Sequence, residues 1–143
     1  MKEEFASLKT NQTWVYVPAG SDHIIGSRWV FWIKTNTDGS TCLKARVAIK
    51  GYEQVEGSDY GETFAPVAKL VSFRLLLTMA AKNAWFIDHM DIVTAFLNPP
   101  VEEDIYMQAP EGIDWLDPSW PTMNHPICKL KKSLYGLKQA PRL

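Results

Sequence analysis

The sequence predicts an α+β fold, and three stretches carry that prediction. Residues 27–34 and 41–50 are aromatic and β-branched runs around Asp38-Gly39, the pattern of a β-hairpin with a loop longer than two residues. Leu70, Phe73, Leu76, Leu77, Ala80 and Ala81 recur at helical spacing, with Ser72 or an earlier residue as the cap and Asn83 as the stop. Residues 85–98 form an apolar run of strand length, interrupted by acids and broken by Pro99-Pro100. At 143 residues and 46% apolar content, the chain is one domain or a large piece of one, with enough apolar mass for a core.

The other elements follow in order. Phe5 and Leu8, three apart among polar and glutamate-rich neighbours, predict a short amphipathic helix over 3–10, broken by Asn11-Gln12. Residues 14–17 read as a strand stopped by Pro18 and Gly20. In the second hairpin strand Leu43, Ala45, Val47 and Ile49 share one face, expected to be core. Lys44, Arg46, Ala48 and Lys50 share the other, which is basic. The first strand is apolar on both faces and is expected to pack under another element. Residues 51–66 form a long aperiodic connection, of a length that is more often functional or interface-forming than decorative. Residues 105–107 and 127–130 read as strands. The proline-rich stretch 109–126 reads as a loop, and the chain turns at Gly136 near its end.

Charge is arranged in blocks. Arg28, Lys34, Lys44, Arg46 and Lys50 face only Asp38 within residues 28–50, and no Lys or Arg occurs between Asn83 and Cys128. That acidic middle holds Asp88, Asp91, Glu102, Glu103, Asp104, Glu111, Asp114 and Asp117, after which Lys129, Lys131, Lys132, Lys138 and Arg142 follow without an acid. A polyanion clamp with a cation site shows this pattern, and so does a solvated surface. Cys42 and Cys128 are far apart, so neither a zinc motif nor a disulfide framework is indicated. A polar, mixed-charge start and short apolar runs predict an intracellular protein with no membrane partner.

Asp91, at the far end of an apolar run, is the first candidate for chemistry. It reads either as an acid aimed at a metal or substrate, or as a cap for the turn that follows.

Nine short motifs in one order carry a resemblance to a family. They are Asn11-Gln12-Thr13-Trp14, Arg28-Trp29-Val30-Phe31, Lys44-Ala45-Arg46-Val47 with Lys50-Gly51-Tyr52, Gly57-Ser58-Asp59-Tyr60, and Glu62-Thr63-Phe64-Ala65-Pro66-Val67. They continue with Met90-Asp91-Ile92, Thr94-Ala95-Phe96-Leu97-Asn98, Glu102-Glu103 with Tyr106-Met107, and the run from Leu134 through Tyr135-Gly136-Leu137-Lys138-Gln139-Ala140-Pro141 to Arg142. Over nearly its whole length the chain resembles the reverse transcriptase domain of copia-type LTR retrotransposons.

The resemblance implies a right-hand polymerase fragment: a fingers β-hairpin plus helix packed on an incomplete palm sheet. About 1–84 would be fingers-like, and about 85–143 a truncated palm with an interposed loop. It implies RNA-directed DNA synthesis by two-metal nucleotidyl transfer with Mg²⁺ in the intact parent. Asp91 would be the first palm aspartate, joined as a metal ligand by the carbonyl of Ile92. Phe96, beside Ala95, would lie under the incoming sugar and select deoxyribose by excluding a 2′-OH. Lys34, Lys44 and Arg46 would reach the triphosphate, Arg46 through its planar fork. Tyr135, Gly136 and Lys138 would lie beside the templating base, with Gly136 allowing close backbone approach. Asp88 and Glu102-Glu103-Asp104 read as solvated or structural acids.

The implied partners are an RNA or DNA template-primer, deoxynucleoside triphosphates and the rest of a retrotransposon polyprotein, in a cytoplasmic particle or the nucleus. The sequence departs from the family in four ways. No Asp-Asp pair occurs in it, whereas the family places a Tyr-x-Asp-Asp turn further on, so the fragment is expected not to polymerise alone. Met1 coincides with a methionine inside the family pattern, which reads as a broken element or a partial gene model. Val93 stands where Lys is common, and Asn98-Pro99-Pro100 where Asn-Gly is usual. Two other readings are a non-catalytic nucleic-acid-binding or assembly remnant and a chain with no stable fold.

Overall fold

The chain alternates short helices and strands in the order α1 (Lys2–Thr10), β1 (Trp14–Pro18), β2 (Ile24–Ile25), β3 (Ser27–Thr35), β4 (Thr41–Ile49), α2 (Leu70–Lys82), β5 (Tyr106–Gln108), α3 (Ile113–Leu116) and β6 (Pro126–Leu130). This computed structural model describes residues 1–20, 22–92 and 94–143. Two sheets form. One is four-stranded in the order β1-β6-β5-β2, antiparallel except for the β5–β2 pair; the other is the β3–β4 hairpin.

The hairpin obeys its turn chemistry. Gly39 takes the positive φ of +81° that an L side chain resists, and the Asp38 carboxylate accepts from the Ser40 backbone at 2.9 Å. Thr35 pairs with Thr41 and Ser27 with Ile49, so residues 36–40 make the longer loop expected.

Leu8 of α1, Ile25, Val47 and Ile49 at the base of β4, Ile105, Met107, Cys128 and Leu130 of the main sheet, and Leu134 and Leu137 form one buried cluster. Apolar area withdrawn from water there is worth about 25 cal/mol per Å². Burial pushes the Cys128 thiol upward, so it stays protonated and unreactive. Across the sheet's end, the buried Asp117 carboxylate accepts from Lys9 Nζ at 2.9 Å, Tyr16 OH at 2.8 Å and Ser119 Oγ at 2.7 Å. It thereby joins α1, β1 and the loop before β6.

Several expectations are corrected. Residues 85–92 form no strand, because none of the described strands lies alongside to complete a hydrogen-bond ladder; Phe86 and Met90 are fully or largely exposed. The expected departure at Val93 lies outside the described residues. The helix forms as α2, capped at Lys69 without a side-chain bond, yet it does not pack on a sheet: of its side chains only Ala80 is buried. Arg74, Thr78 and Lys82 form one polar stripe along it and most of the remaining circumference is apolar, wider than a single core-facing side, and among the described residues little besides Ala80 is covered.

The β4 face expected to be core is core only at Val47 and Ile49, while Leu43 near the tip is 81% exposed. The outer part of β3 is likewise uncovered, with Phe31 and Ile33 facing solvent. Within 109–126 the expected loop contains α3, which starts after Gly112 turns the chain at φ +75° and buries Ile113. The two-residue β2 was not expected, since a single pair of isoleucines carries no periodicity. No helix of the described residues is long and apolar enough to cross a membrane.

Candidate functional site

The β3–β4 register puts Val30, Trp32 and Lys34 on the same face as Arg46, Lys44 and Cys42. On that face the Arg46 guanidinium lies 4.8 Å from the Trp32 ring centroid and 4.6 Å from that of Tyr135. It is held between two aromatic rings by attraction to their π faces, worth about 0.5–2 kcal/mol per ring. Tyr135 in turn meets Phe96 edge to face, with centroids 5.6 Å apart at 62°. Three predicted residues, Arg46, Tyr135 and Phe96, are thus brought together.

The backbone fixes this cluster. The Ile49 amide donates to the Tyr135 carbonyl at 2.8 Å, tying the C-terminal segment to the end of β4. Gly136, at φ +96°, packs so closely that a Cβ would strike the Ile49 carbonyl, and a Cβ on Gly51 would strike the carbonyl of Gly136. The glycine, exposed on its other side, thus allows a close backbone-to-backbone approach within the chain. Burial raises the Tyr135 phenol, the Arg46 charge offsets part of that, and Glu4 adds to it. The phenol stays protonated at neutral pH.

Lys138 is committed within the chain. Its Nζ donates to Tyr60 OH at 3.0 Å and the Gln54 carbonyl at 3.3 Å, and sits 4.4 Å from the Tyr60 ring centroid. Around it, Gln54 Nε2 donates to Gln139 Oε1 at 3.1 Å and Gln139 Nε2 to the Asp59 carbonyl at 2.9 Å. The Asp59 carboxylate accepts from the Val55 amide at 2.7 Å and lies 3.0 Å from His23 Nδ1. Gln54 and Asp59, the buried polar residues of an otherwise mostly exposed connection after Gly51, therefore brace the Tyr135 segment. Lys44 lies 3.7 Å from Glu3, and Lys34 is exposed near the hairpin tip, outside the cluster.

Ile92, Ala95 and Phe96 line a cavity of about 490 Å³ together with Pro99, Ala140 and Pro141. The turn they belong to begins at Thr94, whose φ of +52° is costly for a β-branched residue. No side-chain bond caps that turn, so Asp91 is not its cap. Asp91 is exposed, and among the described residues no group of three or more His, Cys, Asp or Glu side chains could hold a metal ion. One carboxylate and a backbone carbonyl do not fit a two-metal centre.

Sequence reasoning missed Trp32 and Glu4. Only a register centred on Asp38 alone puts Trp32 on the face of Arg46; centring on the Asp38-Gly39 pair would have put Phe31 there instead. Glu4 carried no such signal, because only the tertiary packing of α1 brings it near β4.

A guanidinium fixed between rings, with further cations and an aromatic turn nearby, suits planar, phosphorylated ligands. The chain belongs to the reverse transcriptase (RNA-dependent DNA polymerase) family, whose profile matches residues 11–143. It is similar to plant Pol polyproteins from copia-type transposons: 46% identical over 145 residues to the retrovirus-related Pol polyprotein from transposon RE1 of Arabidopsis thaliana, covering 99% of this chain and 10% of that protein. Against the corresponding polyprotein from transposon TNT 1-94 of Nicotiana tabacum it is 43% identical with the same coverage. Against the Ty1-DR4 Gag-Pol polyprotein of Saccharomyces cerevisiae it is 28% identical over 117 residues, or 82% of this chain and 6% of that protein. The chain thus spans about a tenth of the length of the plant relatives. No solved structure matches it.

Proposed function

We propose that the chain is the incoming-nucleotide side of a retrotransposon reverse transcriptase, built to work within a longer polyprotein. The observation that carries the reading is the convergence of Arg46, Tyr135 and Phe96, from three separate family motifs, at one solvent-facing cluster. Residues up to about 84 act as fingers, and residues from about 85 as part of a palm. Arg46, with Lys44 and Lys34 along the hairpin, receives the triphosphate; Phe96, beside Ala95, meets the sugar and disfavours a 2′-OH. Tyr135 and Gly136 border the base pair, while Lys138 holds their segment in place from behind.

Asp91, with the Ile92 carbonyl, contributes one part of a divalent-metal site whose other acids these residues do not supply. The chain alone therefore binds deoxynucleoside triphosphate but does not extend a primer. The uncovered α2 and residues 85–92 are the surfaces a complete palm would bury. The test is primer extension with Mg²⁺ and deoxynucleotides, run beside nucleotide-binding calorimetry. Extension by these residues alone overturns the predicted inactivity, and loss of no affinity in Arg46→Ala overturns the triphosphate assignment. A remnant that only binds nucleic acid would instead show primer-template affinity falling steeply with salt and no nucleotide binding.

A further inference from the structure

Helix α1 lies against the cationic strand. Its first turn carries Glu3 and Glu4, and both point toward the bases of β4. Glu3 Oε2 lies 3.7 Å from Lys44 Nζ. Burial raises the Glu4 carboxyl, the Val47 backbone and the Arg46 charge offset part of that, and its Oε1 is buried with no hydrogen-bond partner among the described residues.

We propose that α1 supplies an internal counter-anion to the triphosphate site, with Glu3 and Glu4 setting how tightly Lys44 and Arg46 hold a polyphosphate. The proposal rests on the reading that these two cations receive phosphate. With both carboxylates in place, the field of the two cations is partly offset within the chain, and an entering polyphosphate must work against those negative charges. Arg46 does not need Glu4 for its position, because the Trp32 and Tyr135 rings bracket the guanidinium. The effect of Glu4 on a bound anion is therefore repulsion rather than alignment of Arg46.

The two acids differ in kind. Glu3 is 89% exposed, so its contact with Lys44 is a loose surface pair that swings away at little cost. Glu4 is half-buried with an unpaired oxygen, and a carboxylate so placed loses solvation without full compensation. Its charge is less screened by water and weighs more on any phosphate that reaches Arg46.

The experiment is calorimetric titration of the 143-residue chain with inorganic tripolyphosphate at low salt, on wild type, Glu3→Gln, Glu4→Gln, Arg46→Gln and the Glu4→Gln/Arg46→Gln pair. Expected is binding about five- to tenfold tighter in Glu4→Gln and roughly twofold tighter in Glu3→Gln, with the Glu4 gain abolished when Arg46 is also replaced. Unchanged or weaker binding in Glu4→Gln, with an unaltered circular dichroism spectrum, overturns the proposal. Should Glu4→Gln unfold, unchanged affinity in the exposed-site variant Glu3→Gln overturns it instead. A gain that persists without Arg46 also overturns it. If Arg46→Gln binds as tightly as wild type, the phosphate reading itself falls. If Arg46→Gln is weak and both glutamine variants match wild type, only the counter-anion falls.

Discussion

Gly136 and Ile49 meet backbone to backbone: the glycine, at φ +96°, leaves no room for a Cβ against the Ile49 carbonyl, while the neighbouring Tyr135 carbonyl accepts the Ile49 amide at 2.8 Å. This single approach sets where the Tyr135 ring stands relative to Arg46. Gly136→Ala adds both a steric clash and an unfavourable φ, so it should cost roughly 2–4 kcal/mol of stability. Urea unfolding followed by tryptophan fluorescence measures this, and a loss below half a kcal/mol would contradict the packing. Gly51→Ala, which clashes with the Gly136 carbonyl from the other side, should cost a similar amount.

Asp117 makes stability depend on acid. Burial raises its carboxyl, but hydrogen bonds from Ser119, Lys9 and Tyr16 outweigh burial and hold it well below the usual carboxylate range. A folded-state value below the unfolded one stabilises the protein fully above about pH 4, and that contribution disappears as pH falls through the folded value. Asp117→Asn should therefore lose roughly 3 kcal/mol at pH 7. The gap to wild type should narrow steadily below about pH 4, as denaturant midpoints across pH would record. A gap that does not change with pH would argue that only shape, not charge, matters at this position.

Local chemistry made much of the fold legible, and tertiary context hid the rest. Asp38-Gly39 announced the hairpin because a positive φ and an Asp side chain act within a few residues. Phe5 and Leu8 announced α1 because their spacing matches one helix face. Residues 85–92 have strand composition, but a strand is completed by its neighbour, and composition says nothing about whether a neighbour exists. For the site, Arg46, Tyr135 and Phe96 could be named from motifs. Trp32 needed the register, and Glu4 needed the helix docked. Lys138 could be named from sequence but not understood, since its bonds to Tyr60 and Gln54 cross 78 and 84 residues.

The Lys138 brace should act on stability before it acts on ligands. Lys138→Met keeps the stem and removes the bonds to Tyr60 OH and the Gln54 carbonyl. It should cost about 1–2 kcal/mol, with tripolyphosphate affinity changed less than twofold once folding is complete. Paired thermal unfolding and calorimetry separate the two effects. A large affinity loss at full stability would return Lys138 to the binding surface.

The exposed helix α2 should drive self-association. Val71 and Leu76 are solvent-facing on a helix that is apolar over most of its circumference, and an exposed apolar surface of that kind favours association. Val71→Glu with Leu76→Glu removes no buried contact, so the chain's own stability should change by less than about 0.5 kcal/mol. Light scattering should show the wild type associating with concentration and the double variant remaining monomeric. A monomeric wild type at the same concentration would mean that α2 is covered in solution by the chain itself.

The aromatic bracket makes its own prediction about Arg46. A lysine keeps the charge but loses the flat guanidinium that lies between Trp32 and Tyr135, so Arg46→Lys should be no conservative change. Tripolyphosphate affinity should fall about five- to tenfold in Arg46→Lys and about threefold in Trp32→Leu, which removes one ring and leaves the charge. Trp32→Leu in the Arg46→Lys background should add little, because the ring then has no guanidinium to hold. If the two losses instead add in full, Trp32 acts on the ligand directly, and the bracket is not what positions Arg46.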